Sequence, residues 1–311
     1  MRTSIVELLR QLNGIWKNMN NIQAKPLVSI IMSSYNHEKY IETAILSALN
    51  QTYKNIELIV VDDGSKDNSA SILKQLKEKY NFYLEIRENN GLVKTLNYIL
   101  KNLVHGKYVC VLDSDDYYAL DKIEEQVKVM LMHPEAGLCY SPLHKIDKDG
   151  NLLKSKNHTN NTKSGYIFED FFMGKLHILD GGVLIPLKVF QSIGYYDEDI
   201  ELEDYQLWFK ILEKYPAIYL DKKLCYYRTH DSNVSNDEKK MLAWERQVIK
   251  KWENHPVYQK AAPYILTRWF AKYSIYDKKI AWKMLLKAIR YPKTFINKNF
   301  YKGLKRFLFY W

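Results

Sequence analysis

Four short apolar runs, separated by segments of helical spacing, constrain this chain more than any other feature. Val28-Ser-Ile-Ile-Met-Ser-Ser34, Ile56-Glu-Leu-Ile-Val-Val61, Phe82 to Arg87 and Tyr108-Val-Cys-Val-Leu112 read as strands. Between them, residues 38–50, 67–80 and 91–104 set apolar side chains three and four apart, the period of a helix with one buried face. A strand rejoins its sheet in parallel only through a crossover connection, so this alternation predicts an α/β fold with a mostly parallel, doubly wound sheet. Ligands of such sheets bind outside the carboxyl ends of the strands. Three of the strands end in polar clusters, Ser33 to Asn36, Asp62 to Ser65 and Asp113 to Asp116, and this topology sends all three to one rim.

The second half is less regular. A strand is expected near residues 137–146, followed by a mobile polar loop from Asp147 to Lys163. Gly181-Gly182 opens a strand from Val183 to Leu187. Glu201 to Leu212 starts acid-first, as a helix dipole prefers, and Ala217 to Arg228 is strand-like. Ahead of the sheet, Ile5, Val6, Leu8, Leu9, Leu12, Ile15, Trp16 and Met19 have the spacing of an amphipathic helix, with charges between them that a signal peptide would lack. That helix is expected to pack on the body or a partner, with membrane contact as the alternative. Three regions result: residues 1–25, 26–235 and 236–311.

Asp113 and Asp115 stand two apart, so in extended backbone they point the same way. Paired carboxylates of this kind hold one divalent cation, Mn2+ or Mg2+, whose other positions go to water and phosphate oxygens. An isolated Asp-x-Asp reads as a solvated turn, but here it follows directly on a buried strand. Gly-x-Gly-x-x-Gly does not follow the first strand, and Gly-x-x-x-x-Gly-Lys-Ser/Thr occurs nowhere. Those absences count against a nicotinamide dehydrogenase and a phosphate-loop nucleotidase. Cys110, Cys139 and Cys225 have no metal-ligand spacing and read as buried thiols in a reducing compartment.

The ordered set Val28 to Asn36, Leu49-Asn-Gln-Thr52, Glu57 to Ser65, Asn90-Gly91, Leu112 to Asp116, Gly194, Glu203 to Trp208 and Tyr227 to Ser235 resembles the family 2 glycosyltransferases of the GT-A fold. The likeness covers residues 26–235. It implies that Ser33 and Tyr35 contact and stack on the donor's base. Asp63 would accept the uracil imide proton, with Asp62 orienting the loop. Asp113 and Asp115 would serve metal and ribose, with Asp116 sharing that duty, and Asp204 falls where the family places its catalytic base. Arg228 and His230, in Tyr-Arg-Thr-His, would approach the diphosphate or the metal; a structural histidine is the alternative. Lys94 reads as an exposed helix lysine rather than a phosphate contact. The processive members' Gln-x-x-Arg-Trp signature is missing, which implies one sugar per encounter.

Net charge is +10, but it is unevenly placed. Residues 260–311 hold 13 Lys/Arg and one acid, Asp277, leaving 33 basic against 35 acidic groups elsewhere. Lys279, Lys283, Lys287 and Arg290 step at helical spacing, Ile280, Trp282, Met284, Leu285, Leu286 and Ile289 fill the remaining faces, and Phe295 through Trp311 add further aromatics. Basic groups interleaved with bulky aromatics suit an anionic membrane surface. Packing on the domain is the alternative, and nucleic acid comes last. No run of eighteen uncharged apolar residues occurs, so no membrane span is expected.

With these features, the resemblance implies a metal-dependent inverting transferase. It would move a single sugar from a nucleoside diphosphate donor, UDP-linked, to a carbohydrate acceptor. A lipid-linked oligosaccharide in bacterial surface polysaccharide synthesis, at the inner face of the cytoplasmic membrane, would account for the tail. A sugar nucleotidyltransferase and a non-catalytic membrane- or nucleic-acid-binding module are the competing readings. The first lacks its Gly-rich basic loop, and the acids at 63, 113, 115 and 204 argue against the second.

Overall fold

Residues 25–154 and 162–309 are described in a computed structural model of the chain. The segment expected as an N-terminal amphipathic helix lies outside them, as do residues 155–161 of the polar loop. The described residues form two compact units. The first comprises residues up to 166 together with 178–199 and 210–230; the second comprises 167–177, 200–209 and 231–309.

The first unit is built on strand β1 (Val28–Ser34), whose apolar residues Val28, Ile30, Ile31 and Met32 are fully buried. Helix α1 (Ile41–Leu49) leads to β2 (Ile56–Asp62), α2 (Ser69–Lys79) to β3 (Tyr83–Ile86), and α3 (Leu92–Asn102) to β4 (Tyr108–Val111). These four strands run parallel in the order β3-β2-β1-β4. Chain direction across the sheet reverses at β1, with β2 on one side and β4 on the other, which is the switch point where such sheets open a crevice. The register pairs Ser34 with Asp62 and Ile31 with Val111. Two residues past the latter pair, the chain reaches Ser33 on one strand and Asp113 on the other.

Beyond β4 come the two-residue strand β5 (Tyr117–Tyr118), α4 (Lys122–Met132), β6 (Leu138–Tyr140) and β7 (His144–Ile146). In the second unit, α5 is Phe168–Phe172. The sheet resumes with β8 (Val183–Pro186), followed by α6 (Leu187–Ile193), α7 (Glu203–Lys214), β9 (Ala217–Tyr219) and β10 (Cys225–Arg228). The full sheet has seven strands, β3-β2-β1-β4-β8-β6-β9, with β8 antiparallel to both neighbours; β5, β10 and β7 make a smaller sheet. The mostly parallel α/β architecture is therefore as the alternation predicts.

Two expected strands are each divided. Residues 137–146 form β6 and β7, and residues 217–228 form β9 and β10, and in both cases the two pieces belong to different sheets. Pro142 separates the first pair, because a residue with no N–H cannot continue a ladder. Apolar alternation reports that a residue is buried, not which sheet buries it. One buried cation also lies beneath this region. Lys122, fully inaccessible, donates to Gln126 Oε1 at 2.7 Å and to the Val183 carbonyl at 3.2 Å, and its Nζ sits 4.3 Å from the Tyr118 ring centre. Cys110, Cys139 and Cys225 are all buried free thiols, and burial pushes each of them up in pKa.

The second unit is helical. In it, α8 (Glu238–Lys251) and α9 (Pro256–Tyr276) are followed by α10 (Lys278–Ala288) and α11 (Lys298–Phe309). Phe168, Phe172, Phe209 and Trp252 form one aromatic cluster, which draws segments 167–177 and 200–209 to the C-terminal helices. Gly303 lets α11 approach α9, since a Cβ there would stand 2.4 Å from the Phe270 ring. The single acid of the basic tail is structural. Asp277 caps α10, its Oδ1 accepting the Ile280 amide at 2.9 Å. Among the described residues, no helix is long and apolar enough to cross a membrane.

Candidate active site

Parallel register brings the loops after β1 and β2 side by side, and hydrogen bonds knit them together. Asn36 takes a left-handed conformation (φ 56°), its amide donating to Ser65 Oγ and its Oδ1 accepting the Lys66 amide at 2.8 Å. His37 N donates to Ser69 Oγ at 3.0 Å, and Glu38 N to Asp67 Oδ2 at 3.0 Å. Asp62 is buried and closes its own turn, accepting the Ser65 amide at 2.9 Å and the Ser65 hydroxyl at 2.7 Å. Half-buried Ser33 is the last but one residue of β1, while Tyr35 is 41% exposed at the rim.

Asp63 is buried and anchors the next connection. Its Oδ1 accepts the Asn90 amide at 3.0 Å and the Thr95 hydroxyl at 2.8 Å; Oδ2 accepts the Gly91 amide at 2.8 Å. The carboxylate thus sits at the N-terminus of α3, where the helix's unsatisfied amides favour negative charge. Each carboxylate oxygen has two acceptor positions, so Oδ2 retains capacity for one more donor.

The turn after β4 carries the acid cluster. The Asp116 amide donates to the Asp113 carbonyl at 3.0 Å, and Asp115 and Asp116 are both buried. From the smaller sheet, β10 brings Arg228 and the residues after it. The Arg228 amide donates to Asp116 Oδ1 at 2.7 Å, and its Nε donates to the Asp115 carbonyl at 2.8 Å. His230 Nε2 lies 2.9 Å from Asp115 Oδ2. Tyr40 stacks on the His230 ring at 5.3 Å and carries the Arg228 guanidinium 4.5 Å from its own ring centre. The structure therefore brings Asp113, Asp115, Asp116, Arg228 and His230 into one assembly. Its Arg228 side chain faces backbone carbonyls, those of Asp115, Asp147 and Lys148.

Electrostatics match this crowding. Burial, followed by repulsion from Asp113 and Asp115, holds the Asp116 carboxyl well above the usual range. His37, which no sequence motif singles out, also faces the cluster: Nε2 is 4.0 Å from Asp115 Oδ2 and Nδ1 is 2.7 Å from Ser114 Oγ. Burial lowers its pKa; the Asp115 carboxylate opposes that shift and His230 adds to it. Ligand atoms of His37, Asp115 and His230 all lie within 4.8 Å of one another. Two imidazoles and a carboxylate are a fitting donor set for a divalent ion. His37 carries no signal in sequence because its partner is 78 residues away; only the fold puts them together.

Asp204 belongs to the second unit, at the start of α7. Its Oδ1 accepts the amide of Tyr205, and burial raises its carboxyl to about 6.

Comparison with known proteins gives a consistent relationship. The profile of Glycosyl transferase family 2 matches residues 29–190. An uncharacterized glycosyltransferase of Rickettsia typhi is 38% identical over 68% of this chain and 66% of its own length; for some other rickettsial relatives the chain spans only a third to two fifths of their length. Escherichia coli WfaP, a UDP-Glc:alpha-D-GlcNAc-diphosphoundecaprenol beta-1,3-glucosyltransferase, is 31% identical over 72% of this chain and 86% of its own. Among solved structures, S. aureus TarS 1–349 in complex with UDP-GlcNAc superposes with a TM-score of 0.63 at 18% identity, covering 85% of this chain and 78% of that one. The mannosyltransferase PcManGT of Pyrobaculum calidifontis, in complex with GDP-Man and Mn2+, gives 0.60 at 16%, covering 96% and 94%. These structural likenesses show the shared fold.

Replacing Asp63 by Ala would leave the buried Thr95 hydroxyl, and the partly exposed amides of Asn90 and Gly91, without their acceptor. A buried donor left unpaired costs about 1–3 kcal/mol, so the loss at Thr95 is expected to lower unfolding stability of Asp63→Ala by that order in urea denaturation. An unchanged midpoint would show that water replaces the carboxylate at no cost.

Proposed function

Because the chain belongs to glycosyl transferase family 2, we propose that it is a metal-dependent inverting glycosyltransferase. In this reading it transfers one sugar from a UDP-linked donor to a carbohydrate acceptor carried on a lipid. The observation that carries the proposal is the buried Asp115, facing His230 across 2.9 Å at the carboxyl end of β4 and flanked by Asp113 and Asp116. A purely structural module gives no account of that arrangement, and a sugar nucleotidyltransferase, which would also use clustered acids, would need a Gly-rich basic loop after β1 that this sequence does not have. WfaP's uridine donor and diphosphoundecaprenol-linked acceptor support the choice of substrate class.

In the proposed reaction, Ser33 and Tyr35 receive the base at the rim of β1, and the remaining acceptor position of Asp63 Oδ2 takes an imide proton. Asp113, Asp115 and Asp116, with His230, would hold Mn2+ or Mg2+, and Asp113 would also bind ribose. A divalent ion, when bound there, supplies the positive charge that a departing diphosphate requires. Arg228 fixes the acid turn from behind through its bonds to Asp116 and the Asp115 carbonyl, and its charge adds to the field at the diphosphate. Asp204 takes the proton of the attacking hydroxyl as the new bond to the anomeric carbon forms and the bond to the leaving diphosphate breaks. A carboxylate whose pKa is raised to about 6 is a better base than an ordinary aspartate and is still ionised at neutral pH.

The C-terminal helices support a peripheral membrane role. Ala281, Met284, Leu285 and Ala288 bury one face of α10, so part of the tail is packed. The same helix and the two residues after it expose a second apolar stripe, Trp282, Leu286 and Ile289, beside the exposed cations Lys279, Lys283 and Arg290. Phe295 and Ile296 extend the exposed apolar surface in a short 3-10 turn that Pro292 opens past the end of α10. Apolar groups beside cations fit the headgroup region of an anionic bilayer, the cytoplasmic face of a membrane included.

Two measurements test these proposals. Asp204→Asn is expected to reduce turnover by about 10²–10⁴-fold with UDP affinity nearly intact. In the wild type, turnover should rise with pH through an acid limb near 6 as Asp204 loses its proton. Preserved turnover in the variant would remove Asp204 from the chemistry. Neutralising Lys279, Lys283 and Arg290 together should weaken binding to phosphatidylserine vesicles by roughly a hundredfold, at about 1 kcal/mol per charge. Unchanged flotation would assign the stripe to packing alone.

A further inference from the structure

His37 enters the acid cluster from a different strand than any residue so far given a metal-binding role. It follows β1, Asp115 follows β4 and His230 follows β10, so three distant segments converge on one carboxylate oxygen. The His37 backbone is held by the Ser69 hydroxyl, after the left-handed turn at Asn36. Its ring is oriented by Ser114, whose Oγ lies 2.7 Å from Nδ1, and this aims Nε2 at Asp115. That second contact is what a ligating imidazole ordinarily has: a partner on the far nitrogen that fixes tautomer and direction.

The separations also suit a shared ion. His37 Nε2 stands 4.0 Å from Asp115 Oδ2, beyond hydrogen-bond range. Two ligand atoms each about 2.1 Å from one ion lie roughly 3–4 Å apart. Asp115 Oδ2 is thus placed for a cation between the rings, with His230 completing the set. Mg2+ prefers oxygen ligands and keeps its waters, whereas imidazole suits later first-row metals.

We propose that His37 is a further protein ligand of the metal site and that the second imidazole it adds beside His230 and Asp115 makes this chain select later first-row metals such as Co2+ over Mg2+. The inference rests on the metal-dependent reading given above and adds to it a residue and a selectivity. His37 is half-buried, so its substitution removes a ligand without opening the core. Ser114 acts through His37, as a positioning residue.

The test is a titration of the full chain with Co2+ alone, read by visible absorption, and with Mg2+ alone, read by calorimetry. Wild type is expected to bind Co2+ at least roughly tenfold more tightly than Mg2+. His37→Gln should lose Co2+ affinity by about 10–100-fold, with Mg2+ affinity little changed, and Ser114→Ala should fall between the two. Asp115→Asn serves as the reference and should abolish binding of both ions. Unchanged Co2+ affinity in His37→Gln, with binding lost in Asp115→Asn, would overturn the His37 assignment and leave the transferase reading intact. A wild-type protein that binds no Co2+ at millimolar concentration would overturn the metal site itself. Should His37→Gln not fold, the proton spectrum of the Co2+-loaded wild type decides the matter. Two hyperfine-shifted imidazole N–H signals support the proposal, and a single one overturns it.

Discussion

Carboxylates crowded at the end of a buried strand repel one another, and the rest of the first unit is arranged around that repulsion. Asp113, Asp115 and Asp116 lie within four residues, two of them buried, and burial first, then repulsion from Asp113 and Asp115, holds Asp116 well above its ordinary pKa. Left alone, such a turn would swell toward solvent. Instead β10 delivers an amide to Asp116, a guanidinium to the Asp115 carbonyl and an imidazole to the Asp115 carboxylate. The small sheet β5-β10-β7 therefore has a specific purpose. It brings a cation and a histidine to the acid turn from a part of the chain more than a hundred residues away.

Precision on the opposite side of the turn comes from the loops after β1 and β2. Asn36, His37 and Glu38 are each tied to residues between Ser65 and Ser69, so these two loops move together or not at all. Asp63 does the same for the connection into α3. Each bond contributes only about 0.5–1.5 kcal/mol net, yet together they fix the side chains that face a ligand. Preorganisation of this kind is what electrostatic catalysis requires, because groups already in place need no reorganisation during the reaction.

Much of the first half was legible because its signals are local. Val28 to Ser34, Ile56 to Asp62 and Tyr108 to Val111 are short apolar runs whose alternation with helical spacing fixes a parallel sheet, and their polar ends mark its ligand-binding rim. Signals that depend on distant pairing were not legible. His37 has no ligand spacing to Asp115, and nothing near Lys122 announces that a lysine will be fully buried. Nor does the sequence reveal that Pro142 separates two sheets. Segments 167–177 and 200–209 lie inside the span of the family likeness, yet they pack with the C-terminal helices through Phe168, Phe172, Phe209 and Trp252. That aromatic cluster exists only in three dimensions.

The tail's charge likewise divides once the helices are in view. Arg268 pairs with Glu245, Lys272 with Glu238, and Lys278 is turned to the carbonyls of Arg306 and Phe307, so part of the excess is internal to the helical unit. What remains at the surface is the stripe on α10 and its continuation past Pro292. The account as a whole stands on the acid turn being a site for a cation and a nucleotide diphosphate. Calorimetry of UDP binding to the full chain, with Mn2+ present and again with the ion chelated, tests this most directly. The account predicts saturable binding that needs Mn2+ and is lost on chelation. Equal affinity in both conditions, or none in either, would contradict it.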